Sequence, residues 1–143
     1  VADYAGDITP DDAWRILGQD SGAVLVDVRS AAEWSFVGVP DLGGLGKKPA
    51  LVAWAHFPGM TANGNFLAEL EAVLSGAGHH PGSPILFLCR SGARSRSAAL
   101  AVTKAGLAPA YNITGGFEGD LDGSRHRGAV GGWKAAGLPW QQS

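Results

Sequence analysis

The segment Pro84-Ile85-Leu86-Phe87-Leu88-Cys89-Arg90-Ser91-Gly92-Ala93-Arg94-Ser95 decides the fold. Its apolar opening does not alternate with polar residues. Such a run predicts a strand covered on both faces, and therefore a parallel sheet. Cys89 stands at the carboxyl end of that strand. Gly92 lets the following loop curl tightly. A helix is predicted from about Ser95 to Lys104, stopped at Gly106. Upstream, Ala23-Val24-Leu25-Val26-Asp27-Val28 is a second run of the same kind. Downstream, Ala110-Tyr111-Asn112-Ile113 reads as a short strand before Thr114-Gly115-Gly116.

Helix signals fill the gaps between these strands. Thr9-Pro10-Asp11-Asp12 reads as an N-cap, a proline at the first helical position and acids at the positive helix end. Ala13, Trp14, Ile16 and Leu17 give that helix its apolar face. Ser30-Ala31-Ala32-Glu33 has the capping-box spacing and opens a short helix. Phe66, Leu67, Leu70, Val73 and Leu74 mark an amphipathic helix that ends near Gly76. A final short helix is expected around 133–136. Residues 37–64 are broken by glycines and prolines, with Leu51–Ala55 read as a strand inside them. Strands alternating with helices predict one α/β domain over residues 1–143, in three α/β/α layers around a mainly parallel sheet. In such sheets ligands bind beyond the carboxyl ends of the strands.

Composition narrows the function. The 143 residues are 45% apolar and 17% charged, with 22 glycines and one cysteine. That length suits a single domain with a real core. One cysteine forms no internal disulfide and no cysteine-rich zinc site. No apolar run approaches a membrane span. No signal peptide is visible, so the expected location is cytoplasmic, with a processed start at Val1 left open. A net charge of −2 gives no reason to expect nucleic acid or a membrane surface as partner. Its distribution is uneven. Residues 1–83 carry four basic and ten acidic side chains, net −6, whereas residues 84–143 carry seven basic and three acidic, net +4.

The basic half surrounds the sulfur, with Arg90, Arg94 and Arg96 close to Cys89 in the chain. Curled amides ahead of a helix N-terminus form an anion cradle. A free thiol has a pKa of about 8.5, so only roughly 3% is ionised at neutral pH. A cradle of this kind stabilises the reactive thiolate. A lone cysteine is most often an inert buried hydrophobe. An inert cysteine does not need a glycine-containing, arginine-rich turn at a strand end.

At these residues the sequence resembles the single-domain rhodaneses, which are sulfurtransferases. Cys89-Arg90-Ser91-Gly92-Ala93-Arg94-Ser95 is similar to the family's active loop. Val26-Asp27-Val28-Arg29 with Glu33-Trp34 resembles its first signature. Tyr111-Asn112-Ile113-Thr114-Gly115-Gly116-Phe117 and the late Gly132-Trp133 and Gly137-Leu138-Pro139-Trp140 are also similar. One departure is Val37-Gly38-Val39-Pro40-Asp41, followed by a longer insertion, where the family commonly carries a Gly-His-Ile-Pro-Gly-Ala segment. This leaves the pocket wall from that region open.

The resemblance implies a central five-stranded sheet and a persulfide on Cys89, formed from thiosulfate or a related anionic donor. The sulfur then passes to a thiol, to cyanide or to a protein acceptor. It implies no cofactor and no metal. Arg90, Ser91, Gly92, Ala93, Arg94 and Ser95 are the expected active loop, with Arg90 and Arg94 on the donor anion. Asp27 and Arg29 are expected in support, and Trp34 and Phe117 as pocket walls. Arg29 and Glu33 are spaced to pair across the short helix. His79-His80, with His56 and His126, show no metal-ligand spacing. Arg125-His126-Arg127 reads as a solvated tripeptide, with an extension of the positive rim as its other reading, and Trp54 and Phe57 read as core aromatics, with pocket lining as theirs.

Two other readings stay open. A binding or sulfur-carrier module of the same fold usually lacks the cysteine. Phosphatases and arsenate reductases of that fold carry His before the cysteine and Arg after five residues. Here Leu88 and Ser95 stand at those positions.

Overall fold

The computed structural model describes residues 4–56, 59–107 and 109–142. The strands are β1 (Gly6–Ile8), β2 (Val24–Asp27), β3 (Val39–Pro40), β4 (Ala50–Leu51), β5 (Ala55–His56), β6 (Thr61–Ala62), β7 (Ile85–Leu88), β8 (Ala110–Ile113) and β9 (Trp140–Gln141). The α-helices are α1 (Pro10–Gln19), α2 (Ala31–Phe36), α3 (Phe66–Gly76), α4 (Ala93–Lys104) and α5 (Gly132–Ala135). The central sheet has five strands in the order β1-β8-β7-β2-β4, and each neighbouring pair is parallel. Two small antiparallel pairs, β3 with β9 and β5 with β6, lie outside it.

Alternation along the strands splits the core into two layers. Val24, Val26, Ile85, Phe87 and Cys89 pack on one face, against Phe66, Leu70 and Leu74 of α3 and Ala98, Ala99 and Val102 of α4. Leu25, Leu86 and Leu88 pack on the other, against Ala13 and Leu17 of α1 and Trp133 of α5. This is the α/β/α sandwich that the sequence predicts.

Local signals act where they were expected. Thr9 caps α1, its hydroxyl accepting from the Asp12 N–H at 3.1 Å. The Ser30 N–H donates to Glu33 Oε1 at 3.2 Å, closing the capping box of α2. Two boundaries differ. The predicted strand 51–55 divides into β4 and β5. Its Val52 and Trp54 amides still reach Asp27 and Val28 carbonyls, but β2 ends there and the chain turns off into the β5–β6 hairpin. Helix α4 starts at Ala93 rather than near Ser95. Gly92 sits at φ +121° and completes the turn after Cys89 in fewer residues than expected. A side chain there would be strained.

Candidate active site

Cys89 follows β7 directly, at the carboxyl edge of the sheet, and only 1% of its surface is exposed. The Gly92 N–H donates to Cys89 Sγ at 3.0 Å. Behind it stands the N-terminus of α4, whose first-turn amides have no partner within the helix. Ser95 Oγ lies 3.2 Å from the sulfur. The arrangement can hold negative charge on Cys89 and on an atom bonded to it.

The loop is braced from behind. After β8, Gly115 and Gly116 take left-handed conformations at φ +75° and +60°. The chain then donates from the Phe117 N–H to the Cys89 carbonyl at 2.7 Å. The Glu118 and Gly119 N–H groups both reach the Arg90 carbonyl, at 3.0 and 3.1 Å. A Cβ at Gly116 would run into the Cys89 carbonyl and the Arg90 backbone.

A cleft of about 590 Å³ opens beside the loop, lined among others by Phe36, Met60, Arg90, Arg94, Glu118 and Arg127. Arg94 crosses to α2, where its guanidinium donates to both oxygens of Glu33 at 2.7 and 2.9 Å. Burial alone would raise the Glu33 carboxyl. The hydrogen bond and charge of Arg94, aided by Ser30, outweigh it and lower Glu33 from 4.5 to about 2. The hydrogen bond to Glu33 in turn raises Arg94. Arg90 is exposed at the rim, and so is Arg96 on the outer face of α4. The Ser91 and Ala93 side chains are outside the cleft lining.

Other expected residues are not part of the cleft lining. Asp27 and Arg29 are fully buried and paired with each other, Nη2 to Oδ2 at 2.7 Å. Arg29 also donates to the Gly38 carbonyl at 2.6 Å and lies over the Phe117 ring at 4.3 Å. The expected Arg29–Glu33 pair is therefore corrected: each has another partner. Arg29 precedes α2 and turns inward, so helical spacing does not apply to it. Phe117 is also corrected, from pocket wall to core, since none of its surface is exposed. Trp34 is half-buried on α2 outside the cleft lining, and its indole N–H has no partner among the described residues. Trp54 packs edge-on against Phe66 at 4.9 Å. Phe57 lies outside the described residues. His79 Nε2 sits 3.0 Å from the Ser83 carbonyl, away from the site.

Sequence reasoning passed over Met60 and Asn112, and it favoured solvent over the positive rim for Arg127. Arg127 is held at the cleft by its bond to the Gly119 carbonyl at 2.7 Å. Its basic tripeptide was a usable signal, and so was an asparagine inside the apolar run of β8.

A larger cavity, about 760 Å³, lies around Leu17, Val24, Leu45, Lys47 and Ala77. It is at the amino-terminal end of β2, the opposite end from Cys89. Its Lys47 ammonium donates to the Asp20 and Ala23 carbonyls, each at 2.7 Å. Among the described residues, no His, Cys, Asp and Glu cluster could hold a metal, and no helix is long and apolar enough to cross a membrane.

The profile of the STR4 middle domain family matches residues 6–143. The chain belongs to that family. Its structure resembles the crystal structure of Rv0390 from M. tuberculosis, with a TM-score of 0.88 and 55% identity, covering 98% of this chain and 99% of that one. An uncharacterised protein of Rickettsia rickettsii is 36% identical over 129 residues, 90% of this chain and 91% of its own. The thiosulfate sulfurtransferase GlpE of Actinobacillus pleuropneumoniae is 23% identical over 133 residues, 93% and 90% of the two chains. The fold of this chain is rhodanese-like.

Proposed function

We propose that this protein is a single-domain sulfurtransferase of the rhodanese type, with Cys89 as its nucleophile and sulfur carrier. The observation that carries the reading is the sulfur at the end of β7, receiving the Gly92 N–H at 3.0 Å in front of the α4 N-terminus. The Cys89 thiolate attacks the outer sulfur of thiosulfate. A Cys89 S–S bond forms, the donor's own S–S bond breaks, and sulfite leaves with the electron pair. An acceptor such as cyanide or a thiolate then attacks the outer sulfur and releases the Cys89 thiolate. This is two-step covalent transfer and gives ping-pong kinetics.

The low exposure of Cys89 fits this division of labour. A small inorganic donor suits so enclosed a sulfur. The persulfide moves the reactive sulfur outward by about 2 Å, the length of an S–S bond, toward a bulkier acceptor. Arg90 and Arg94 are the groups that meet the donor anion. The role fits a cytoplasmic protein, and a protein acceptor is compatible with it.

Intact mass before and after thiosulfate tests the reading. Wild type gains one sulfur atom and loses it to cyanide, and Cys89→Ser gains none. A Cys89→Ser protein that still forms thiocyanate overturns it. Hydrolysis of an aryl phosphate without thiocyanate formation turns the site over to phosphatase chemistry.

A further inference from the structure

Asn112 is an asparagine with 5% exposure in the otherwise apolar core region of β8, and the proposed chemistry does not use it. Its hydrogen bonds give it a direction. The parallel register of β1 and β8 sets Asp7 beside Asn112. Asn112 Nδ2 donates to Asp7 Oδ1 at 3.0 Å. A carboxylate accepts and has no proton to give. The amide is therefore oriented with its nitrogen toward Asp7 and its oxygen toward α4. There the Ser95 hydroxyl donates to Asn112 Oδ1 at 2.6 Å. A hydroxyl carries one proton. With that proton given to Asn112, Ser95 turns a lone pair toward Cys89 Sγ at 3.2 Å. A thiol S–H satisfies that lone pair, and a thiolate does not.

We propose that Asp7 and Asn112 are positioning residues that hold the Ser95 hydroxyl proton away from the Cys89 sulfur. The inference rests on Cys89 being the nucleophile. When the thiol gives its proton to solvent, the Gly92 N–H still faces the sulfur. Ser95 must then leave Asn112 to donate to the thiolate, so Asn112 Oδ1 and the sulfur compete for one proton. Tyr4 reinforces the orientation. Its hydroxyl donates to the same Asp7 oxygen at 2.8 Å, and that bond raises Tyr4 above its ordinary 10. Among the described residues, Arg94 of α4 interacts electrostatically with Cys89, Glu33 and Asp27, Arg90 follows Cys89 in the loop, and Arg29 is paired with Asp27 at the end of β2. A substitution at 112 alters none of them.

The test is the rate at which iodoacetamide modifies Cys89 across pH. Asn112→Leu keeps the side-chain size and removes the acceptor. It is expected to react about fivefold faster at pH 7, as a hydrogen bond to a charged sulfur replaces one to a neutral amide. The rising limb of its rate profile moves to lower pH. Asp7→Ala frees the amide to flip and raises the rate in the same direction. In a Ser95→Ala background, Asn112→Leu changes the rate by less than about twofold, since the coupling runs through that hydroxyl. A packing role predicts slower or unchanged modification, and that result in a folded Asn112→Leu protein overturns the proposal. Should that variant fail to fold, Asp7→Ala decides alone, at an exposed position on an edge strand. Iodoacetamide reads the thiolate and thiosulfate loading reads sulfur transfer. A tuned but unloaded Cys89 sinks the sulfurtransferase reading alone, and a loaded but untuned one sinks this inference alone.

Discussion

Two neighbouring strands of the sheet, β2 and β7, are each followed in the chain by an arginine that meets a carboxylate. After β2, Arg29 pairs with Asp27, and both side chains are completely buried. After β7, Arg94 pairs with Glu33, and both keep 19% of their side-chain surface. The first pair is local and closed. Its cation is shared among Asp27, the Gly38 carbonyl and the Phe117 ring. The second pair joins two helices and faces a cleft. Similar chemistry thus serves anchorage in one place and an open rim in the other, and burial sets the difference.

Removing the cation breaks the two pairs unequally. Arg29→Met leaves the Asp27 carboxylate buried without a counter-charge and is expected to cost about 3–5 kcal/mol of stability, read by urea unfolding. A loss below about 1 kcal/mol would equate it with an exposed pair. Arg94→Ala is expected to act on substrate instead. The KM for thiosulfate rises about tenfold, as expected for loss of a charge-assisted hydrogen bond worth ~1.4 kcal/mol or more. A neutral persulfide donor is affected much less. Equal losses for both donors remove Arg94 from anion binding.

The smallest effect sharpens the contrast at acid pH. Glu33 is lowered on folding, from 4.5 to about 2. A carboxyl lowered on folding stabilises the protein above its unfolded value. That contribution is complete above about pH 4.5 and fades as pH falls toward 2. Glu33→Gln should flatten this acid limb, with a cost at neutral pH under about 1 kcal/mol because the pair is partly solvated. An unchanged acid limb in thermal melts between pH 5 and pH 2, roughly the window of that linkage, removes Glu33 from it.

What could be read from the sequence follows the range of the interactions. Apolar runs revealed β2, β7 and β8, and Thr9, Pro10 and Ser30 revealed two helix starts, because these signals act within a few residues. Cys89 was legible because a strand, a glycine and arginines adjoin it. Pairing was not. Helical spacing joined Arg29 to Glu33, whereas the partner of Glu33 is 61 residues away. Arg127 looked solvated because the element that brings it to the cleft, the turn after Phe117, has no local signature. Phe117 followed a glycine pair that faces the loop, but its ring turns to the core beneath Arg29.

The Asp7–Asn112 bond spans 105 residues, and the Glu33–Arg94 bond spans 61. The surroundings of one sulfur therefore draw on both ends of the domain. Contacts between such distant residues form at a high cost in chain entropy and tend to come late in folding. The chemistry of Cys89 is then a readout of completed topology. A refolding chain is expected to regain helical signal before it regains the native reactivity of its one thiol, and the delay between them measures the docking of β1 against β8.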